Sequence, residues 1–319
     1  MRKKLDFWLK ILVLFGFCVV LIFLLGAGFN NTSYAYAEEG AIDSDPFSEA
    51  DANAHPANGW DSKKEHYYEN SQQVCSKEIY DAKDKNWYWI DANGSVARNK
   101  DVYLQSNGGK WVRYDAAGHM VKGEDYRYGA WYYFDTTTGA MAKGITHVPS
   151  NGGKWVYYDL TTGKMLYGER YVNYDQSHAG WYHFDENIGA MSYGFYFNSP
   201  QHKWVYYDHA SGQMLYGEQL INGHWYDFDE STGAMQYGFV YLSKSQKWVF
   251  YDRRMGWMLY GEHPIDGAWY LLDAHTGAVQ YGWQGLGGKT VCYSWPSGKM
   301  LYGQQNVNNA TYYFDNRTG

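Results

Sequence analysis

The sequence predicts an all-β protein built as a solenoid of stacked β-hairpins, with about 11 repeats of 20–25 residues. The first observation is self-similarity, because two alternating motifs each open on a tryptophan that recurs mostly at a spacing of 44 residues. These tryptophans are Trp131, Trp181, Trp225 and Trp269 in one series, and Trp155, Trp204 and Trp248 in the other. The second observation is composition, with 20% aromatic residues and 36 glycines but few long aliphatic stretches. Short aromatic strands that stack on their neighbours suit this composition better than one large core.

The chain begins with the features of an export signal. A basic start precedes an apolar run over residues 11–28, and small residues at 35 and 37 offer a cleavage site. We therefore predict a signal peptide over residues 1–37. An uncleaved membrane anchor is the alternative, because the apolar run approaches the length of a membrane span. Residues 38–58 are acidic and polar, which predicts a flexible spacer.

The rest of the chain is predicted to be one array. Residues 59–86 carry a degenerate motif and are predicted to form a capping repeat, because terminal repeats are usually atypical. Residues 87–319 are predicted to form the regular repeats. The last repeat stops at its turn at Gly319, so we expect a truncated final unit with further sequence beyond it.

Charge and cysteine content exclude some classes of partner and bond. Loss of residues 1–37 would remove four basic residues and one acidic residue, which moves the formal net charge from −7 to −10. This balance disfavours nucleic acid and acidic membrane surfaces as partners, since both attract basic patches. Cys75 and Cys292 would lie in distant units of a solenoid, so we expect no disulfide between them.

Each motif predicts a β-hairpin. Residues 154–158 are rich in Trp, Val and Tyr and predict a strand, and residues 159–163 predict a turn through their Asp and Gly. Residues 165–167 are then predicted to be the return strand. The positions one and three residues after each tryptophan are always apolar or aromatic, which predicts the core face.

The opposite face of the strand is predicted to meet water. The position two residues after the tryptophan accepts Arg113, His183 and Asp227, and the tryptophan lies on the same face. A large aromatic side chain that recurs on a wetter face predicts a ligand platform. The alternative is that each tryptophan covers the junction with the next hairpin, since tryptophan is rarely buried completely.

The motif resembles the cell-wall-binding repeats of Gram-positive surface proteins and lysins, which include choline-binding and glucan-binding modules. The resemblance rests on the pattern of residues 131–141, Trp-Tyr-Tyr-Phe-Asp followed by Thr-Gly-Ala-Met, and covers most of the chain from residue 87 onward. The alternating 44-residue version is similar to arrays on wall-associated actinobacterial proteins. The resemblance implies a hairpin solenoid that holds ligands between successive hairpins.

In choline-binding members, the resemblance implies a cage made by the Trp of a Gly-Trp pair, the Trp of the next strand and a further aromatic residue. Here the Gly-Trp position holds Phe195, Phe239 and Trp283 in one series and a recurring glutamate in the other. Cages are therefore expected at alternate junctions only, and the recurring glutamate is expected to be an exposed structural acid. This departure favours a wall glycan over choline. The candidate platform residues are Trp131, Trp155, Trp181, Phe195, Trp204, Trp225, Phe239, Trp248, Trp269 and Trp283.

No constellation of residues predicts catalysis, a cofactor or a metal site. The most frequent carboxylates all occupy one turn position of the repeat, so we interpret them as turn residues. These are Asp135, Asp159, Asp185, Asp208, Asp229, Asp252 and Asp273. The histidines are scattered, without the spacing of a metal motif.

The sequence thus predicts a secreted, wall-associated protein that binds cell-wall polysaccharide or a teichoic-acid-type polymer through recurrent aromatic residues. Weak single sites would act together through multivalency. One alternative is the targeting half of a peptidoglycan hydrolase whose catalytic domain lies beyond Gly319. Another is a host-facing adhesin.

Overall fold

The computed structural model describes residues 55–173 and 175–319. The predicted signal peptide at 1–37, and the predicted spacer up to residue 54, lie outside the described residues. Within the described ranges the chain is almost wholly β, with short 3-10 turns at Ser106–Gly108, Ser150–Gly152 and Ser199–Gln201. None of the described helices has the length and apolar character needed to cross a membrane.

The array opens with one three-stranded antiparallel sheet, made of β1 (Gly59–Trp60), β2 (Tyr67–Glu69) and β3 (Gln72–Gln73). Eleven hairpins of two five-residue strands follow in the described part of the chain. They are β4 (Lys77–Asp81) with β5 (Asn86–Ile90), β6 (Lys100–Leu104) with β7 (Lys110–Tyr114), β8 (Gly123–Arg127) with β9 (Ala130–Phe134), β10 (Gly144–Val148) with β11 (Lys154–Tyr158), β13 (Gly168–Val172) with β14 (Gly180–Phe184), β15 (Gly194–Asn198) with β16 (Lys203–Tyr207), β17 (Gly217–Ile221) with β18 (His224–Phe228), β19 (Gly238–Leu242) with β20 (Lys247–Tyr251), β21 (Gly261–Ile265) with β22 (Ala268–Leu272), β23 (Gly282–Leu286) with β24 (Lys289–Tyr293), and β25 (Gly303–Val307) with β26 (Ala310–Phe314). A two-residue strand, β12 (Met165–Leu166), adds to β11. The predicted hairpin solenoid is confirmed, and the predicted boundary at residue 86 falls inside β5.

The strand pairing within a unit differs from the prediction. The Trp-containing strand pairs along its whole length with the strand before it, so that Gly144 of β10 lies opposite Tyr158 of β11. The predicted return strand contributes only a short pairing, through Met165 and Leu166. In most other units it is reduced to a single bridge, as between Phe184 and Met191. The reason is that the backbone N–H of the methionine donates its hydrogen bond to another hairpin.

That N–H joins each hairpin to the one before it. The N–H of Met191 donates to the carbonyl of Trp155 at 2.7 Å, and the N–H of Met214 donates to the carbonyl of Trp181 at 2.8 Å. The same bond recurs in further units, from Met120, Met141, Met235, Met258, Val279 and Met300. We call this bond the junction hydrogen bond. It ties the backbone of each new unit to the tryptophan of the preceding one.

The turn after each Trp-containing strand is held by its aspartate. The Oδ1 atom of Asp208 accepts hydrogen bonds from the backbone N–H groups of Ala210 at 3.0 Å and Ser211 at 2.7 Å. These bonds lower the pKa of the Asp208 carboxyl. Gly212 closes the turn at a φ of +75°, a conformation that costs glycine little. Asp135, Asp159, Asp185, Asp229, Asp252 and Asp273 accept equivalent bonds. The interpretation of these aspartates as turn residues is confirmed.

The core consists of small clusters rather than one large one, as the composition predicted. The side chains one and three residues after each tryptophan are buried, as Val156 and Tyr158 show. The prediction for the position two residues after the tryptophan was wrong. Arg113 and His183 are buried there, and most of the aromatic residues at this position are buried too. The next hairpin stacks on this face, so both faces of the strand are covered near its end.

Candidate functional site

Most tryptophans of the array combine a backbone carbonyl that accepts a hydrogen bond with a side chain that is partly exposed to solvent. The carbonyl of Trp155 accepts the junction hydrogen bond, whereas the residue as a whole is 46% exposed. Trp131, Trp181, Trp204, Trp225, Trp248 and Trp269 are similarly exposed. Replacement of the side chain therefore leaves the junction hydrogen bond available. The two interpretations of the tryptophans, platform and junction cover, are separable by experiment.

One face of most of these rings is covered by the partner strand. The ring of Trp248 packs at 5.4 Å, measured between centroids, against Tyr241 directly across the hairpin. Trp204 packs on Phe197 at 5.3 Å in the same way. Pairs of tilted aromatic rings at such distances stabilise each other and hold the ring in a fixed orientation. The tryptophan thus presents a fixed face to the junction with the next hairpin.

The best-formed aromatic cavity lies between β19–β20 and β21–β22. Phe239 and Trp248 come from the first hairpin, Tyr270 comes from β22, and Tyr281 precedes β23. Phe239 lies 4.9 Å from Tyr270 between ring centroids. The cavity holds about 200 Å³, and Pro296 belongs to the turn that closes it. Four aromatic side chains from three successive units therefore meet around one small space, which we call the aromatic cavity.

A related cavity surrounds Trp155. Its volume is about 210 Å³, and Tyr182 and Tyr193 occupy the places of Tyr270 and Tyr281. Ile145 replaces the phenylalanine, so this cavity has one aromatic wall fewer. The junction between β15–β16 and β17–β18 lies between these two cavities. There the ring centroid of Phe195 lies 5.1 Å from that of Tyr226, and the tryptophan is Trp204. Trp283, further along, packs at 4.8 Å on Tyr312 instead of facing a tryptophan. The structure therefore brings the Phe239 and Trp248 candidates together, while the neighbouring junctions are less complete versions.

The alternate junctions are acidic. The recurring glutamate lies on the first strand of these hairpins and is partly buried rather than exposed. Glu169 accepts hydrogen bonds from the hydroxyl of Tyr207 at 3.1 Å and the amide of Asn198 at 3.3 Å. Glu262 accepts one from the hydroxyl of Tyr293 at 2.8 Å. Glu169 and Glu262 are therefore structural, because buried polar atoms of the next hairpin depend on them, but the prediction that these acids are exposed was wrong.

Removal of the Tyr207 hydroxyl provides a test of that role. We expect Tyr207→Phe to lower the local free energy of opening by about 1 to 2 kcal/mol, because it deletes a buried hydrogen bond to a carboxylate. Burial and the charge of Glu169 both raise the pKa of Tyr207, so its hydroxyl remains a donor. Tyr158→Phe is the matched control, since the Tyr158 hydroxyl is buried without a partner among the described residues. Native-state hydrogen exchange should show a loss at Tyr207→Phe only, and equal losses would contradict the assigned role.

Two of the acidic junctions also contain cavities beside a candidate tryptophan. Trp181 lines one of about 210 Å³ with Glu169 and Lys203. Trp225 lines another of about 610 Å³ with Glu218 and Asp227. Trp131 and Trp269 occupy the same strand position in the remaining hairpins of this series. Across residues 55–173 and 175–319, no three His, Cys, Asp or Glu side chains are placed together to hold a metal ion.

Comparisons with known proteins agree with this architecture. The sequence profile of the choline-binding repeat matches residues 104–144 and 200–237. CbpJ from Streptococcus pneumoniae TIGR4 has a similar structure, with 22% identity and a TM-score of 0.58 over 79% of this chain and 95% of that one. Choline-binding protein F from S. pneumoniae matches with 20% identity and a TM-score of 0.56, over 81% of this chain and 97% of that one. This chain therefore shares the hairpin-solenoid fold of these two proteins, and residues 104–144 and 200–237 are similar to choline-binding repeats. A search of curated protein sequences gave no match.

Each of these two cavities is lined by two tyrosines that the sequence analysis did not predict as site residues. Tyr270 and Tyr281 wall the aromatic cavity, as Tyr182 and Tyr193 wall its counterpart. A signal for two of them is present, because a tyrosine precedes the glycine that opens most hairpins, as at Tyr193 and Tyr281. In this chain the two kinds of junction alternate along the array.

Proposed function

We propose that the chain binds a polymer of the bacterial cell wall, and that the aromatic cavity holds a choline-type quaternary ammonium group carried by that polymer. The observation that carries the proposal is the meeting of Phe239, Trp248, Tyr270 and Tyr281 around about 200 Å³. The proposed setting is a secreted, wall-associated protein, as the predicted signal peptide requires.

The walls of the aromatic cavity favour an organic cation. An aromatic ring carries negative potential on its face, so a quaternary ammonium group is attracted to Phe239, Trp248 and both tyrosines. Such contacts contribute about 0.5 to 2 kcal/mol each, depending on how far they are desolvated. The residues that line the cavity include no charged side chain. A quaternary ammonium group needs no hydrogen-bond acceptor, and an aromatic wall alone can therefore hold it.

The size of the cavity bears on the choice between choline and a glycan. Pockets for drug-sized ligands measure about 300 to 1,000 Å³. The aromatic cavity is smaller, at about 200 Å³, and so suits a small group rather than several sugar rings. This geometry reverses the preference for a glycan that the sequence alone suggested. The choline-binding repeat profile matches the segment just before the aromatic cavity, residues 200–237, whose motif recurs in the units that form the cavity.

Several weak cavities would act together. The cavity at Trp155 has one aromatic wall fewer and should hold the same group less tightly than the cavity at Trp248. When ligand groups repeat along one polymer, the second contact forms at a high effective concentration. Retention on the wall should then exceed the affinity of any single cavity. Free choline should release the protein only when it is supplied in excess.

The test is to remove one wall of the aromatic cavity. We expect Trp248→Ala in the full-length protein to weaken choline binding at this site about 5- to 30-fold, from the loss of about 1 to 2 kcal/mol of cation–π attraction. Isothermal titration calorimetry with choline measures the change. Trp269→Ala is the matched control, because Trp269 has the same strand position and a similar exposure in an acidic junction. We expect it to leave choline binding unchanged.

Binding to intact cell walls separates the two ligand classes. Release of the wild-type protein by choline, but not by soluble wall glycans, would support the proposal. If only the glycans release it, the earlier glycan prediction is correct and the cavity assignment fails. Equal losses of choline affinity in both tryptophan variants would also contradict the assignment, since only one of them lines the cavity.

A further inference from the structure

The cavity beside β17–β18 differs in chemistry from the aromatic cavity. It holds about 610 Å³, and Glu218, Trp225, Asp227 and Tyr241 are among its lining residues. We call it the acidic cavity. Its volume lies within the about 300 to 1,000 Å³ that is typical of small-molecule sites. It therefore has room for at least one sugar-sized ligand.

Two carboxylates face each other in the acidic cavity. Glu218 on β17 is the direct cross-strand partner of Asp227 on β18. Like charges placed directly opposite in a hairpin destabilise it. Burial, and then the charge of Glu218, raise the pKa of Asp227 to about 6. The three sister hairpins avoid this conflict and place Tyr133, His183 and Leu271 opposite their glutamates.

These two carboxylates also lack the partners that their counterparts have. Among the described residues, neither Glu218 nor Asp227 forms an ion pair or a side-chain hydrogen bond. Among their counterparts, Glu124 pairs with Lys154 at 3.6 Å, and Glu169 and Glu262 each accept a hydrogen bond from a buried tyrosine hydroxyl. The corresponding tyrosine here is Tyr251, whose hydroxyl is fully buried without a partner.

Tyr251 lies next to the acidic cavity. Burial raises the pKa of Tyr251, and the charges of Asp227 and Glu218 raise it further, so its hydroxyl stays protonated close to both carboxylates. Lys244 and Glu230 also line the acidic cavity, where they pair at 2.9 Å with both side chains mostly exposed. The charge of Lys244 lowers the pKa of Asp227, but burial and the charge of Glu218 outweigh it. The acidic cavity thus combines the two unpaired carboxylates of Glu218 and Asp227 with an aromatic wall, and the Tyr251 hydroxyl lies buried behind them rather than on the lining.

We propose that the acidic cavity binds an amino sugar, with its protonated amine between Glu218 and Asp227 and its ring against Trp225. A cation placed between two carboxylates relieves their repulsion and gains a charge-assisted hydrogen bond. Trp225 and Tyr241 provide apolar faces for the carbon side of the ring, as in other small-molecule sites that combine aromatic walls with a few polar groups. A divalent metal ion would need six or more oxygen ligands, which aromatic walls do not supply. This site is independent of the aromatic cavity and of choline.

The experiment compares glucosamine with N-acetylglucosamine at pH 7, by calorimetry on the full-length protein. The two sugars share a ring, but only glucosamine carries a positive charge. We expect glucosamine to bind at least 10-fold more tightly than N-acetylglucosamine. Asp227→Asn should weaken glucosamine binding at least 10-fold, while Asp266→Asn should leave it unchanged. Asp266 is an exposed carboxylate paired with Arg253, so this control makes the same change in net charge.

The stability of Asp227→Asn distinguishes a lost ligand site from a folding defect, because a folding defect would lower the urea midpoint. The raised pKa of Asp227 means that the folded protein holds its proton more tightly than the unfolded chain does, so this carboxyl lowers the stability of the fold as the pH rises from about 4 to about 6, and the full loss remains at higher pH. Asp227→Asn should therefore raise the urea midpoint at pH 8, and this gain should vanish below about pH 4. A variant that is more stable and yet fails to bind glucosamine supports a ligand site.

Other outcomes would overturn the proposal. Equal binding of the two sugars would show that charge is not recognised. Unchanged glucosamine binding in Asp227→Asn would place the amine elsewhere. Calcium binding that disappears in Asp227→Asn, without glucosamine binding, would identify a metal site instead. Choline binding that depends on Asp227 and exceeds glucosamine binding would assign the acidic cavity to quaternary ammonium groups.

Discussion

Arg113→Ala is expected to lower the local free energy of opening of β6–β9 by about 3 to 5 kcal/mol, because it leaves two carboxylates without their common partner. The Arg113 side chain is fully buried and binds Asp101 at 2.6 Å and Asp125 at 2.7 Å. Its guanidinium also stacks 4.2 Å from the ring centroid of Tyr132. The two aspartates keep the Arg113 side chain charged despite its burial, since they raise its pKa.

The measurement is native-state hydrogen exchange of the amides in β6 to β9, because a repeat array need not unfold in one step. A matched variant combines Arg113→Met with Asp101→Asn and Asp125→Asn. It removes all three charges together, and replacement of a buried ion network by apolar or neutral groups is often close to neutral. We expect this triple variant to recover most of the lost stability. A loss below about 1 kcal/mol in Arg113→Ala would show that the buried charge is dispensable.

Gly212→Ala is expected to lower the local free energy of opening by about 2 to 4 kcal/mol, because it combines a strained backbone with a steric clash. Gly212 has a φ of +75°, and a Cβ atom there would lie 2.2 Å from the sulfur of Met191. The Tyr182 ring, 3.4 Å from the same Cβ position, limits where Met191 can move. The contact matters because Met191 also provides a junction hydrogen bond to Trp155.

Gly223 offers a control for the backbone component alone. It has a φ of +82°, and no atom lies within 4 Å of its Cβ position. We expect Gly223→Ala to lower the local free energy of opening by only about 1 to 2 kcal/mol. Hydrogen exchange in β14 to β18 compares the two variants. If both lose the same stability, the contact between Gly212 and Met191 is unimportant, and only the backbone conformation demands glycine.

The fold class followed from the sequence because its signals are repeated many times. The aromatic strand, the Asp-to-Gly turn and the spacing of the tryptophans recur in unit after unit, so one ambiguous unit cannot mislead. The partner strand was missed because it carries little pattern. Strands such as β13, with sequence Gly-Glu-Arg-Tyr-Val, and β17, with Gly-Glu-Gln-Leu-Ile, mix charged and apolar residues without strict alternation.

Burial at the position of Arg113 could not be predicted from one strand in isolation. Alternation along a strand says which face a side chain points to, but it does not say whether a second hairpin covers that face. Tyr133 retains 9% of its exposure, whereas Tyr313, at the same position of the last described hairpin, retains 78%. The difference comes from the hairpin stacked on the first of them.

The candidate site was predicted in part. Phe239 and Trp248 were identified from the Gly-aromatic position and the strand opening, and they do line one cavity. Tyr270 and Tyr281 come from later units, so their approach depends on the rotation between hairpins, which no sequence pattern states. The acidic cavity depends on one substitution, Asp227, that the averaged repeat pattern conceals.

The junction hydrogen bond gives the array a direction of growth. The carbonyl of Trp155 accepts from the N–H of Met191, a residue of the following unit, so the acceptor comes before the donor in the chain. The later junctions repeat this order. A chain that emerges from the ribosome with its amino end first presents each finished hairpin as a template for the next. Contacts close in sequence also form quickly. Assembly can therefore keep pace with synthesis, and only the newest unit is without its neighbour at any moment.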